Sequence, residues 1–238
     1  MTTTTLHKAE TRGHADHGWL DSHHTFSFAN YYDPQRVHFG ALRVLNDDIV
    51  TGGMGFGTHP HDNMEIISIP LKGALEHKDS MGNTGVITKG EVQVMSAGTG
   101  IRHSEFNHSK TEMVNFLQLW IFPKLKNIAP RYDQKLFDLA ERQNKIQILV
   151  SPDEENTLHI NQDAWLSMAD LDADKKVNYK IHKPGNGVYI FIIDGNIETG
   201  DLQLMKRDGA GITDADEITI NAKSRSEILF IEVPMQFN

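Results

Sequence analysis

Short apolar or alternating segments, separated by turn-forming residues, recur along the whole chain. Such segments are typical of β-strands, and close spacing between the turns indicates a sandwich or barrel. In the first half the predicted strands are 42–45, 48–51, 65–71, 74–79, 84–88, 91–96 and 113–122, and Asn46 and Asp47 are predicted to form the turn between the first two. In the second half they are 146–150, 158–160, 177–182, 188–193, 202–205, 217–220 and 227–233. The pattern therefore predicts an all-β protein of the jelly-roll class with few short helices.

One segment between the two sets of strands has a helical pattern. Leu136, Phe137, Leu139 and Ala140 fall at helix-compatible spacing within residues 134–143. The segment lies where a linker between two barrels would be. We therefore predict a short helix there and two domains, residues 1–130 and residues 131–238.

Two pairs of metal-ligating residues follow glycine-rich turns in the first half. Residues 53–58 lead to His59 and His61, and residues 98–100 lead to His103 and Glu105. Because residues two apart on a strand share a face, each pair would present both side chains on one side. Neutral imidazole and carboxylate suit iron, and also zinc, copper or nickel. The pairs therefore predict a metal site between two strands.

Glu65 is a second candidate carboxylate. If the strand that holds His59 and His61 continues without a break, Glu65 lies on the same face as both histidines. Asp62 and Asn63 could instead form a turn, and the alternation would then end at His61. The residues themselves leave Glu65 and Glu105 as alternative fourth ligands.

The number of candidate ligands indicates which metal the site would hold. Three imidazoles and one carboxylate leave one or two open positions on a five- or six-coordinate metal, so a substrate and dioxygen can bind side by side. A catalytic zinc normally has three protein ligands, so four ligands with open positions favour iron.

Composition excludes several classes of protein. The chain of 238 residues has no cysteine, which excludes disulfides, thiolate metal sites and cysteine nucleophiles. No stretch approaches the ~20 apolar residues of a membrane helix, and the first residues lack a secretory signal pattern, so we expect a cytoplasmic protein. The net charge is −9, and the short basic cluster of Lys124, Lys126 and Arg131 is interpreted as a solvated loop, so direct nucleic-acid binding is not expected.

The runs around these motifs resemble a known family. Residues 53–65 look like the first cupin motif, and residues 98–107 look like the second. Residues 18–34, 59–61 and 96–105 are similar to the pirin family, and they closely resemble its bacterial, quercetinase-like branch. Ser96, where a proline is usual, and Gly73, which is one residue late, depart from the general cupin pattern in the manner of pirins.

The resemblance implies a bicupin, two jelly-roll β-barrels of which only the N-terminal one holds metal. It also implies Fe(II) bound by His59, His61, His103 and Glu105, with nickel, copper, cobalt, zinc and manganese as alternatives. A generic cupin would use Glu65 as the fourth ligand instead. In the second half His159 and His182 stand alone, which agrees with a barrel without metal.

The activity that the resemblance implies is dioxygenation of a flavonol such as quercetin, with loss of carbon monoxide. Glu105 or Glu65 would take the proton of the flavonol hydroxyl. The candidate apolar pocket walls are Phe26, Phe28, Met64 and Phe106, and His77 is expected on a sheet surface. The alternative function is an iron-binding, redox-sensing regulator of transcription or of a metabolic enzyme, which would act through a protein partner. We expect a monomer.

Overall fold

The structure, a computed structural model, describes residues 2–237 and consists almost wholly of β-strands. The strands of the first half are β1 (Thr3–His7), β2 (Gly13–Asp16), β3 (Leu20–His24), β4 (Leu42–Val50), β5 (Gly55–His61), β6 (Glu65–Lys72), β7 (Ala74–Asp79), β8 (Thr84–Thr88), β9 (Glu91–Ser96), β10 (Ile101–Asn107) and β11 (Val114–Ile121). Those of the second half are β12 (Arg131–Leu136), β13 (Gln147–Ser151), β14 (Leu158–His159), β15 (Trp165–Leu171), β16 (Lys176–Lys180), β17 (Asn186–Asp194), β18 (Asn196–Thr199), β19 (Leu202–Met205), β20 (Gly209–Thr213), β21 (Glu217–Ala222) and β22 (Ser226–Pro234). Two 3-10 helices, Ala9–Thr11 and Leu139–Arg142, complete the secondary structure of the described residues. The all-β prediction is confirmed.

Each half of the chain builds one large and one small sheet. The N-terminal barrel has a seven-stranded sheet in the order β12-β9-β6-β11-β4-β3-β2 and a four-stranded sheet in the order β5-β10-β7-β8. The C-terminal barrel repeats this with β1-β20-β17-β22-β15-β13-β14 and β16-β21-β18-β19. Two sheets that close on each other form a jelly roll, so the predicted two-barrel fold is confirmed.

Two strands cross the predicted division at residue 130. Strand β1, at the start of the chain, pairs with β20 of the C-terminal barrel, and Thr3 lies opposite Thr213. Strand β12 pairs with β9 of the N-terminal barrel, and Arg131 lies opposite Ser96. In each large sheet, a strand that would otherwise form the edge, β20 or β9, is therefore covered by a strand from the other side of that division.

The helix predicted for residues 134–143 is wrong. Residues up to Leu136 belong to β12, and only Leu139–Arg142 turns, starting where the Asp138 carboxylate accepts a hydrogen bond from the N–H of Ala140. Leu136 is 68% exposed, whereas Phe137 packs into the core between the barrels. The helical spacing of apolar residues was therefore accidental, and pairing with β9 outweighed it.

The main hydrophobic core joins the two barrels. Leu45 and Leu117 from the N-terminal seven-stranded sheet share one buried cluster with Leu166 and Leu229 from the C-terminal one. A second cluster, which includes Ile190 and Ile220 from opposite sheets, fills the interior of the C-terminal barrel. The interior of the N-terminal barrel holds only smaller apolar clusters, and this leaves room for a polar site.

The predicted turn at Asn46 and Asp47 is also wrong, because one continuous strand, β4, runs through both residues. Asp47 does not need a turn to satisfy its carboxylate, which accepts a 2.8 Å ion pair from Arg207 and lies 3.6 Å from Arg12. Asn46 is 2% exposed and points to the opposite face, into the barrel.

Acidification is expected to destabilise the metal-free protein. Burial lowers the pKa of His7 to about 4, and its Nδ1 lies 2.9 Å from the Tyr189 hydroxyl. In the unfolded chain the His7 ring takes up a proton near pH 6.5. Between pH 6.5 and 4 the unfolded chain therefore binds more protons than the folded chain, and the free energy of unfolding decreases as the pH is lowered. Between pH 7.5 and pH 4.5, the free energy of unfolding, measured by urea denaturation, should fall by about 2 kcal/mol less in His7→Phe than in the parent protein. His108 is exposed, so the free energy of unfolding of His108→Phe should fall by as much as that of the parent protein. Equal decreases in all three proteins would contradict the role of His7.

Candidate metal centre

The structure gathers the three predicted histidines at the paired strands β5 and β10. His59 lies directly opposite His103, and His61 lies opposite Ile101. The ring centroids are 4.9 Å apart for His59 and His61, 4.4 Å for His59 and His103, and 4.9 Å for His61 and His103. One ring nitrogen from each lies within 4.8 Å of the other two. Alternation on each strand and antiparallel pairing thus produce a ligand cluster.

The ring nitrogens of these histidines fit a metal ion. His103 is 1% exposed, and both of its ring nitrogens are buried without a hydrogen-bond partner within residues 2–237. Burial is costly for such atoms unless they are paired. The Nδ1–H of His59 donates to the carbonyl oxygen of Gly57 at 2.8 Å, so the Nε2 of His59 carries a lone pair that can bind a metal. The cluster therefore offers the neutral nitrogen donors that a divalent metal needs.

Burial also keeps two of the rings unprotonated. Burial, together with the neighbouring histidine rings, lowers the pKa of His61 to about 4 and that of His103 to about 3. An imidazole must be neutral to bind metal, so these environments favour binding at neutral pH.

Glu105 lies beside this cluster with its carboxylate fixed. It is 3% exposed, and its Oε1 accepts a 2.9 Å hydrogen bond from Ser68 Oγ. Its Oε2 accepts a 2.9 Å hydrogen bond from the side-chain amide of Gln118. A carboxylate oxygen of Glu105 lies within 4.8 Å of ring nitrogens of His103 and His77. Strands β6 and β11 thereby orient the predicted carboxylate toward the histidines.

His77 is fully buried, so its expected place on a sheet surface is wrong. It lies opposite Glu105 on β7, its Nε2 is 3.3 Å from Asp79, and its ring stacks on Tyr132 at 4.5 Å. Strand β7 alternates buried Leu75, His77 and Asp79 with exposed residues. This alternation was visible in the sequence and was the signal for an inward-facing histidine.

The prediction that Glu65 shares the face of His59 and His61 is wrong. Asn63 has a φ of 44°, so a turn separates β5 from β6, as the alternative reading of Asp62 and Asn63 required. Glu65 accepts a 2.7 Å hydrogen bond from Ser96 and a 3.2 Å one from the backbone N–H of Asn161 in the C-terminal barrel. Burial raises the pKa of this carboxyl. It faces the junction of the barrels, away from the histidines.

A cavity of about 430 Å³ adjoins the three histidines and Glu105. Its apolar walls include Trp19, Leu20, Phe28, Phe56, Ile66 and Trp120. This volume lies within the usual range for small-molecule sites, about 300–1,000 Å³. Of the four residues proposed as walls, Phe28 lines this cavity and Met64 lines an outer depression beside His59 and His61. Phe26 belongs to the core between the barrels, and Phe106 is 39% exposed, so neither lines the cavity.

The lone histidines of the second half have other partners. The ring of His159 bonds to the carbonyl oxygen of Pro152 at 2.9 Å. His182 bonds to Glu232 at 2.7 Å and stacks on Trp165. Across residues 2–237, every group of three clustered ligands lies between residues 14 and 105.

His159→Ala and His182→Ala are therefore expected to leave the metal content per folded chain unchanged. The reason is that neither ring belongs to a group of three ligand atoms within residues 2–237 that all lie within 4.8 Å of one another. Elemental analysis of the purified variants beside the parent protein checks this. Loss of one metal equivalent in either variant would reveal a site in the C-terminal barrel.

None of the helices formed by residues 2–237 is long and apolar enough to cross a membrane.

Family models match both halves of the chain. The model described as pirin matches residues 5–121, and the model described as the quercetinase C-terminal cupin domain matches residues 148–233. Apart from the exchanged strands β1 and β12, each match covers the strands of one barrel.

Individual proteins match over almost the full length. A protein of Escherichia coli named quercetin 2,3-dioxygenase is 47% identical over 96% of this chain and 98% of its own. The crystal structure of YhhW from Escherichia coli is 46% identical, covers 99% of this chain and 100% of its own, and has a TM-score of 0.94. A structure of the bacterial pirin YhhW in complex with nickel(II) gives a TM-score of 0.92 at 45% identity, over 98% of this chain and 99% of its own. With this identity over the whole length and the pirin model matched across residues 5–121, the chain belongs to the pirin family.

Proposed function

We propose that this protein is a metal-dependent dioxygenase that opens the heterocycle of flavonols such as quercetin and releases carbon monoxide. The observation that carries the proposal is the cavity of about 430 Å³, whose wall includes His59, His61, His103 and Glu105. A metal site that served only a structural or sensory role would not need a cavity of this size next to it. The name quercetin 2,3-dioxygenase, carried by a relative of 47% identity, supports the same substrate class.

We propose His59, His61, His103 and Glu105 as the ligands of one divalent metal. Fe(II) is the first choice for the mixed nitrogen and carboxylate set, and nickel, copper, cobalt, zinc and manganese are the alternatives. When bound there, the metal would supply Lewis-acid activation of the flavonol 3-hydroxyl and open positions for substrate and dioxygen.

We propose that Glu105 is the base that accepts the proton of the flavonol 3-hydroxyl. Gln118 can only donate to Oε2 through its amide nitrogen, so that oxygen remains an acceptor. Ser68 Oγ now donates to Oε1, but a hydroxyl can turn and accept instead. A proton taken up at Oε1 therefore keeps a hydrogen-bond partner. Glu65, on the opposite face of β6, is not placed to receive it.

The aromatic walls suit a flat, conjugated substrate. Trp19 and Phe56 pack edge to face at 5.4 Å, and Phe28 and Trp120 do so at the same centroid distance. All four line the cavity, so they can contact the faces and edges of a fused ring system and exclude water from it.

Turnover of quercetin by metal-loaded protein tests the proposal. The protein is freed of metal, reloaded with Fe(II) or nickel, and assayed for loss of quercetin, uptake of dioxygen and release of carbon monoxide, each per bound metal. We expect all three to occur in equal amounts, and none in air-free buffer. If the iron-loaded protein leaves quercetin unchanged in air, and its affinity for a protein partner depends on the iron oxidation state, the regulatory function replaces the enzymatic one.

A further inference from the structure

A row of five buried polar side chains crosses the inner face of the N-terminal seven-stranded sheet. Residues directly opposite each other on neighbouring strands point to the same side. The strand register places His24 opposite Asn46, Asn46 opposite Gln118, Gln118 opposite Ser68, and Ser68 opposite Gln93. Each of the five is at most 8% exposed. Five polar side chains on a buried face need partners, and the row therefore has a use beyond packing.

The polar atoms of this row differ in whether they have partners within the protein. In the middle of the row, Ser68 and the amide nitrogen of Gln118 hold the Glu105 carboxylate, as described above. The buried atoms of the row that have no partner among residues 2–237 are His24 Nδ1, Asn46 Oδ1, Gln118 Oε1 and both polar side-chain atoms of Gln93. Of these residues, His24, Asn46 and Gln118 line the cavity, and Gln93 does not. An unpaired buried acceptor costs about 1–3 kcal/mol, so the end of the row at His24 and Asn46 is suited to receive hydrogen-bond donors from a molecule in the cavity.

Ser22 and Asp48, in the adjacent row, fix the acceptor character of His24. The Ser22 hydroxyl donates to Asp48 Oδ1, and His24 Nε2 lies 2.9 Å from Ser22 Oγ. With Asp48 ionised, the only hydroxyl proton points to Asp48, so His24 Nε2 must donate to Ser22. Burial lowers the pKa of His24 to about 4, so the ring is neutral and its Nδ1 carries a lone pair. Burial raises the pKa of Asp48 to about 7, so Asp48 is ionised, and this donor order holds, above that pH.

We propose that His24, Asn46 and Asp48 form a binding site for phenolic hydroxyl groups on the ring of the substrate that lies away from the metal ligands. The choice of a flavonol as occupant rests on the proposed function. Neighbouring strands are about 4.8 Å apart, so His24 lies roughly 10 Å from Gln118 across two strand spacings. This is of the same order as the separation between the 3-hydroxyl of a flavonol and the hydroxyls of its phenyl ring. A ligand without those hydroxyls would leave the acceptors unpaired, and a site of this kind rejects it.

Binding of two flavonols tests the proposal. Quercetin has two hydroxyls on its phenyl ring, and galangin has none on that ring. Dissociation constants are measured without dioxygen on the metal-loaded protein, by calorimetry or fluorescence. The parent protein should bind quercetin at least about 10-fold more tightly than galangin, and Asn46→Leu should reduce this preference about 10-fold. Asp48→Asn and His24→Gln test the same prediction if Asn46→Leu does not fold.

His23→Ala is the matched control. His23 lies between Ser22 and His24 on β3 but points to the outer face, where its ring is 3.5 Å from Asp21. The preference of His23→Ala for quercetin over galangin should equal that of the parent protein. An unchanged preference in every folded inner-face variant, equal affinity of the parent protein for both flavonols, or no binding of either, would overturn the proposal. If the preference is found but quercetin is not turned over, the hydroxyl site stands and the dioxygenase function fails.

Discussion

Replacing His103 with alanine is expected to remove most of the bound metal and leave the protein folded. His103 is the histidine shared by both ligand groups of the centre, one with His59 and His61 and one with His77 and Glu105. Loss of a residue that merely orients a ligand costs about 10–100-fold in metal affinity, so loss of a ligand itself should cost at least about 100-fold. Folding should persist, because the apolar core between the barrels does not include the centre.

Metal content and thermal unfolding, measured on the same preparations, check this result. His61→Ala should behave in the same way, since His61 belongs to the same ligand group and its ring has no hydrogen-bond partner among residues 2–237 that would make it structural rather than ligating. The matched control is His108→Ala, one residue beyond β10, where an exposed ring pairs with Glu76 at 3.0 Å. Full metal retention in His61→Ala and His103→Ala would mean that the metal binds elsewhere.

The strands and the histidine cluster were accessible from the sequence because they depend on local periodicity. Apolar runs and turn residues recur at short range, and two residues two apart on one strand share a face wherever that strand lies. The pairing that places His59 opposite His103 joins strands far apart in the chain, and two similar motifs were enough to suggest it. The separation of Glu65 from the histidines depended on a single turn at Asn63, for which the sequence allowed two conformations.

The buried polar row on the inner face of the N-terminal seven-stranded sheet was not accessible in this way. It takes one residue from each of five strands, and only the register of the sheet shows that His24, Asn46 and Gln118 are neighbours. The sequence alone favours a turn at Asn46, because asparagine and aspartate are typical of turns and an inward polar face is rare in strands. The error shows that polar residues within a strand can mark a binding surface.

Replacing Glu105 with glutamine is expected to lower quercetin turnover per bound metal by about 10²–10⁴-fold, the usual contribution of a positioned general base. The substitution should be well tolerated by the fold. The amide oxygen can keep the hydrogen bond from Gln118, and the amide nitrogen can donate to Ser68 Oγ once that hydroxyl turns. The loss would therefore report on the proton acceptor and not on a collapsed site.

The amide also binds metal more weakly than the carboxylate, so the rate must be divided by the metal actually bound. Glu65→Gln is the matched control, since it makes the same change in a buried carboxylate that bonds to Ser96 and Asn161 on the far face of β6. Its turnover per metal should equal that of the parent protein, because no proton of a substrate in the cavity can reach it directly. If Glu65→Gln loses activity per metal while Glu105→Gln keeps it, the proton must travel toward the junction of the barrels, and the base is Glu65.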